Sequence, residues 1–210
     1  MKRAVFGGVR TTQTILAMKC QHLYPSDTRL VPLSLRDLFT QNGHHTIHDI
    51  SMQHGLVHYH SAASFFLGTR CKLAGKTIVL EGVPYVRNLH SLLNGLFPAS
   101  SHPNRGYSIL PNLAQWALDG LSFDDEWYEQ YLVNLRQLGA RNQVYVIHSK
   151  TDQISLYSDA TPIIDHMQCA DVCILDVASH HAYHKHPAYT GFIRSIQDRT
   201  TNGREMGKSS

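Results

Sequence analysis

Three polar residues, each placed just after an apolar, largely β-branched run, have the types needed for nucleophilic acyl transfer. Ser61 follows Leu56-Val57-His58-Tyr59-His60, Asp152 comes shortly after Val144-Tyr145-Val146-Ile147-His148, and His181 comes shortly after Val172-Cys173-Ile174-Leu175-Asp176-Val177. A serine hydroxyl is a weak nucleophile until an imidazole takes its proton. The imidazole in turn needs a carboxylate to fix its tautomer and to stabilise its cation. His180 and His184 are rival bases in the same histidine-dense stretch. Backbone N–H groups must also hold the developing oxyanion, and those of Ala62 and of Gly8 or Val9, after the first apolar run, are the candidates.

The segment around Ser61 reads Tyr59-His60-Ser61-Ala62-Ala63. A strained strand-to-helix turn carrying a nucleophile usually reads G-x-S-x-G, so Tyr59 and Ala63 stand where glycines would relieve crowding. The bland alternatives are ordinary ones: Ser61 or Ser64 as a helix cap, and Asp152 as a turn residue.

The fifteen histidines raise a second chemistry. His58 and His60, at i and i+2, would share one face of a strand, and His44, His45 and His48 form another group. No H-E-x-x-H motif, no paired C-x-x-C and no evident carboxylate partner accompanies them, so the expectation is no metal and no cofactor. A metal- or pH-responsive protein stands as a third reading, because histidine titrates near neutrality.

The elements that must position these residues follow from the pattern of apolar runs. Ala4-Val5-Phe6 reads as a strand closed by a Gly7-Gly8 turn. Thr11 or Thr12 would cap a helix carrying Ile15, Leu16, Met18 and Leu23. Arg29–Leu33 reads as a strand demoted to an edge by Pro32. Further strands are expected at 55–60, 77–82, 144–148 and 172–177, with helices at 123–138, 159–167 and 187–196. Strands alternating with helices, and reading as β-branched runs, predict an α/β fold: an open, mostly parallel sheet of about six strands with helices on both faces. Active sites in such sheets lie outside the carboxyl ends of the strands. One domain is expected over residues 1–197, with a helical insertion at 85–140 and a polar, disordered tail at 198–210.

Composition excludes several classes. The chain of 210 residues can bury roughly 70% of its unfolded surface in a single core. Nineteen Lys+Arg against sixteen Asp+Glu leave a net charge of only +3, with no basic run. No nucleic-acid partner is therefore expected. No apolar stretch reaches the roughly 18 residues of a membrane span, and the Gly-Gly break after Phe6 interrupts any export signal. Cys20, Cys71, Cys169 and Cys173 are then expected to be reduced thiols. An intracellular, cytoplasmic protein follows, with peripheral membrane association left open.

Several segments together resemble the α/β-hydrolase superfamily, and within it the transmembrane protein 53-like family. That family is a domain of unknown function that includes fungal indole-diterpene pathway hydrolase-like proteins. The resemblance rests on Val5-Phe6-Gly7-Gly8, on Lys19-Cys20-Gln21-His22-Leu23-Tyr24 against K-x-x-x-L-Y, and on His58–Ser64 against H-x-F-S-N-G-G. It extends to His148–Ser155 against Y-S-x-x-D-x-x-V, and to Ser179–His184 followed by Pro187-Ala188-Tyr189. The order Ser, Asp, His also matches. The resemblance covers about residues 4–196 and implies Ser61 as nucleophile, Asp152 as acid and His181 as base. Here Ala62-Ala63-Ser64 replaces the family's Asn-Gly-Gly.

The function expected is a serine hydrolase, esterase- or lipase-like, that cleaves a small-molecule acyl ester through an acyl-enzyme. Trp116, Trp127 and Tyr131 in the insertion would line the acyl pocket, or else pack helix against sheet. The alternative is a catalytically inactive scaffold of the same fold that binds a ligand or partner.

Overall fold

The computed structural model describes residues 1–9, 11–34, 37, 40–64, 72–83, 125–152, 155–180 and 182–206. The described elements are β1 (Arg3–Val9), α1 (Gln13–Cys20), β2 (Arg29–Leu33), α2 (Gln41–Gln53), β3 (Leu56–His60), β4 (Thr77–Glu81), α3 (Asp125–Arg141), β5 (Gln143–Ser149), α4 (Tyr157–His166), β6 (Asp171–Leu175) and α5 (Pro187–Met206). The six strands form one sheet in the order β2-β1-β3-β4-β5-β6, and every neighbouring pair is parallel.

Every residue of β3 and β4 is buried, because both faces of the sheet are covered and neither strand has a water-facing side. One face packs Phe6, Val57, Ile78 and Val146 against Ile47 and Ile50 of α2, Leu135 of α3 and Ile163 of α4. The other packs Val5, Leu56, Val79 and Ile147 against Leu16 of α1 and Tyr189, Ile193 and Ile196 of α5. Alternate residues of each strand thus serve opposite cores. Thr12 caps α1, its side chain accepting from Ile15 N at 3.3 Å. Pro32 sits on the edge strand β2, where a missing N–H disturbs no inner ladder.

Two expectations about local structure are corrected. Gly7 and Gly8 do not turn the chain, since β1 runs through them to Val9 with an irregular register against β2. They thin the strand instead. A Cβ on Gly7 would meet Thr11 Cβ at 3.0 Å, and one on Gly8 would meet Ser61 Cβ at 3.2 Å. The second correction concerns the expected disordered tail, because α5 continues to Met206. Thr200 is buried, donates to Ile196 O at 2.6 Å and lies 3.5 Å from Thr77 across the core, while Arg199 pairs with Asp171 at 3.3 Å. These contacts extend the helix through a polar sequence. Residues 207–210 lie outside the described part.

Of the expected insertion at 85–140, residues 84–124 lie outside the description. Its last part is α3, whose Tyr131, Leu132, Leu135 and Leu138 are core residues. No described helix is long and apolar enough to cross a membrane.

Candidate active site

The carboxyl end of the sheet gathers the candidate residues. Ser61 is the first residue after β3, opening a short 3-10 turn over Ser61–Ser64. Its φ of 52° is the only positive value on a non-glycine residue among those described. A left-handed serine at the tip of a buried parallel strand is strained, and such strain collects at functional sites. It is also the conformation of a nucleophile elbow. The crowding predicted at Tyr59 is resolved by the pleat. Tyr59 points to the opposite core, stacks on Phe6 with ring centroids 4.7 Å apart, and its hydroxyl lies 2.5 Å from Ser51 Oγ. The glycine that gives Ser61 room lies on the neighbouring strand. Gly8 of β1 approaches so closely that a Cβ there would be 3.3 Å from His60 O and 3.8 Å from Ser61 Oγ.

Asp152 follows β5 and is buried. Its Oδ1 accepts from Ser155 N at 3.0 Å, and its Oδ2 accepts from His180 Nδ1 at 2.6 Å and from the Tyr183 hydroxyl. Charge-assisted bonds of this kind are stronger than neutral ones. Ser155 ties this loop to the sheet: its hydroxyl donates to Val83 O at 2.5 Å, and its carbonyl lies 3.0 Å from His148 Nε2. Burial, the largest influence, holds the His148 imidazole below its ordinary value.

His180 lies in the loop after β6. Its ring rests on Gly82, where a Cβ would stand 2.5 Å from Cε1 and 3.2 Å from both ring nitrogens. Gly82 has φ +61° and donates to Ile147 O at 2.9 Å. Here glycine is required twice over, for its backbone conformation and for the space the imidazole fills. His60 pairs in register with Glu81. Ser61 and Gly82 are therefore the next residues on adjacent strands, and the His180 ring lies over the neighbour of Ser61.

The other predicted residues sort as follows. His181 lies outside the described residues, and the histidine bonded to Asp152 is its neighbour His180. Gly8 and Val9 end β1 beside Ser61, and Ala62 is in the 3-10 turn. Trp116 lies outside the description, and Trp127 is on α3. Tyr131 is a core residue, 2% exposed, so its role is packing helix on sheet. The roles of Gly82, Ser155 and Tyr183 were not anticipated from sequence. The signals for them were slight: a glycine straight after a strand, a serine three residues past the aspartate, and a tyrosine inside the histidine cluster.

A second histidine–carboxylate assembly lies on the face covered by α1 and α5. His58, His60 and Glu81 are the one group of three potential metal ligands among the described residues. Glu81 Oε2 accepts from the Tyr189 hydroxyl at 2.5 Å and lies 2.9 Å from His60 Nδ1 and 3.4 Å from His58 Nε2. His58 Nδ1 lies 2.7 Å from the Tyr24 hydroxyl. The two imidazoles are stacked, with centroids 4.1 Å apart and planes within 20°. Lone pairs lie in the ring planes, so stacked rings do not converge on one ion. The arrangement suits a buried, ionised carboxylate that accepts from the Tyr189 hydroxyl and faces two imidazoles. Burial raises the Glu81 carboxyl, but His60 and hydrogen bonds from both histidines outweigh it and hold the group well below its usual range. Burial draws His60 down to about 4, against the pull of Glu81.

The open parallel sheet, the strained serine after its third strand and the carboxylate–histidine pair beyond its fifth and sixth define an α/β-hydrolase fold. Solved structures agree on the fold. A monoacylglycerol lipase from Paleococcus ferrophilus superposes with a TM-score of 0.57 at 12% identity, over 95% of this chain and 93% of that one. The esterase domain of a Rhodothermus marinus protein gives 0.55 at 12% identity, over 95% and 86%. An α/β-hydrolase enzyme from a lagoon-sediment metagenome gives 0.56 at 10%, over 97% and 93%. No protein-family profile and no curated protein sequence matches the chain.

Proposed function

We propose that this protein is a serine hydrolase that cleaves an acyl ester through Ser61, His180 and Asp152, with His180 taking the part first expected of His181. The observation that carries the reading is the left-handed Ser61 beside Gly8, one strand away from the glycine on which the Asp152-bonded imidazole rests. With Nδ1 committed to Asp152, proton transfer falls to His180 Nε2. It takes the Ser61 proton as Oγ attacks the ester carbonyl. The N–H groups of Ala62 and of Gly8 or Val9 receive the oxyanion, and His180 returns the proton to the leaving alcohol. Water then repeats the cycle on the acyl-enzyme and releases the acid. Trp116 and Trp127 are the candidates for the acyl-pocket wall. Membership of the transmembrane protein 53-like family belongs to the same proposal, as does an intracellular setting, which the free Cys20, Cys169 and Cys173 support.

The test is labelling with a fluorophosphonate together with turnover of p-nitrophenyl butyrate. Wild-type protein is expected to label stoichiometrically at Ser61. Ser61→Ala should abolish labelling and lower turnover by about 10⁴-fold or more. A folded wild-type protein that neither labels nor turns over would instead establish the inactive-scaffold alternative.

A further inference from the structure

We propose that Tyr183 is a positioning residue whose hydroxyl, shared onto the same carboxylate oxygen that holds His180, sets the pH range in which the imidazole works as a base. This rests on the reading of His180 and Asp152 as base and acid. Asp152 Oδ2 accepts from both His180 Nδ1 and the Tyr183 hydroxyl. The two donors therefore compete for one centre of negative charge. A phenol drawing on that charge weakens the attraction between Asp152 and a protonated His180. Tyr183 is fully buried and begins the 3-10 turn Tyr183–Lys185. Its ring meets the His180 ring at 63° with centroids 5.8 Å apart, and meets the His148 ring edge-on at 6.4 Å. Burial and the Asp152 charge push the phenol far above its ordinary value, so it keeps its proton and acts only as a donor.

The other titratable groups facing this pair are His148 at the end of β5, which feels both Asp152 and His180, and Glu81 at the end of β4, which feels Tyr183. Burial lowers the His148 imidazole below its ordinary value. Glu81 is held ionised by its own histidines. Both shifts move these titrations down, away from neutral pH.

The decisive variant is Tyr183→Phe, which keeps the ring and removes the donor. Removing the donor returns interaction energy with the Asp152 charge to the imidazolium, one pH unit being a tenfold change in that preference. With part of that energy transferred to the imidazolium, the acid limb of kcat/KM for p-nitrophenyl butyrate should move up by about half to one pH unit. The high-pH plateau should stay within about threefold of wild type. A purely structural tyrosine would lower the plateau or the yield of folded protein and leave the limb in place, which would overturn the proposal. Should Tyr183→Phe fold poorly, fluorotyrosine at position 183, a stronger donor of nearly the same size, should move the limb to lower pH. An unmoved or raised limb would overturn the proposal equally. Following the His180 ring proton by NMR titration, assigned with His180→Ala, reads the same shift without turnover. A failed fluorophosphonate label would then refute the hydrolase reading, while the unmoved resonance alone would refute the role of Tyr183.

Discussion

Two histidine–carboxylate assemblies differ in setting, Glu81 with His58 and His60 on β3 and β4 and Asp152 with His180 in the loops beyond β5 and β6, and the proposed function gives chemistry only to the second. Glu81 with His58 and His60 lies between the sheet and the helices α1 and α5, where Tyr24 and Tyr189 take up hydrogen-bonding capacity and no serine, threonine or cysteine hydrogen-bonds to the imidazoles among the described contacts. Asp152 with His180 lies past the strand ends, where the backbone leaves the sheet. There Ser61 adopts a left-handed conformation and Gly82 gives the imidazole a bed. On the proposed reading, the same pair of side chains is a structural tie in one place and an acid–base pair in the other. What distinguishes the second place on that reading is the adjacent Ser61 at the strand end.

Substitution of the histidines separates the two assemblies most sharply. His180→Ala should lower p-nitrophenyl butyrate turnover by about 10³-fold or more and suppress fluorophosphonate labelling. His58→Gln should keep turnover within about threefold while lowering the thermal midpoint. Equal losses of turnover in the two variants would erase the distinction.

A smaller effect, on stability, is expected from Glu81→Leu. Loss of the carboxylate strands the Tyr189 hydroxyl without an acceptor and removes the charge beside both imidazoles in a closed site, at a cost of about 3 kcal/mol. Chemical denaturation reads this directly, and an unchanged midpoint would show that the buried tie is dispensable.

The mildest effect is on the pH dependence of stability. His60 titrates at about 4 in the folded chain against an ordinary 6.5. Between those values the unfolded chain binds the extra proton, so stability rises with pH across that window and is lost on acidification. Glu81, lowered from 4.5, adds a further loss of the same sign below that pH. Thermal midpoints should fall from pH 6.5 towards 4, and His60→Gln should flatten that limb. A midpoint that rises on acidification would contradict the neutral buried imidazole.

Legibility from sequence was uneven for physical reasons. Strand positions were readable because strands buried on both faces are rich in apolar residues, and Ser61 and Asp152 stood out as candidates because each follows one. Which residue of the histidine-dense stretch meets Asp152 was not readable, since composition does not give side-chain direction. The Ala182 N to Ser179 O turn, 2.9 Å, and the 3-10 turn behind it place His180 on Asp152. Gly7 and Gly8 misled for a related reason. A glycine pair marks either a turn or a close approach, and only the neighbouring Ser61 shows that close approach is the reason here.

Local patterning by itself determined the alternation of strands and helices, the two buried faces and the side chains offered at the strand ends, because burial and periodicity act along the chain. Tertiary structure alone decided which imidazole meets the carboxylate, that Tyr183 shares the same oxygen, and that Glu81 is walled in. Those outcomes depend on the direction of side chains brought together across more than a hundred residues in some cases, as from Glu81 to Tyr189, and direction at such separation is fixed only when the sheet and its covering helices have packed.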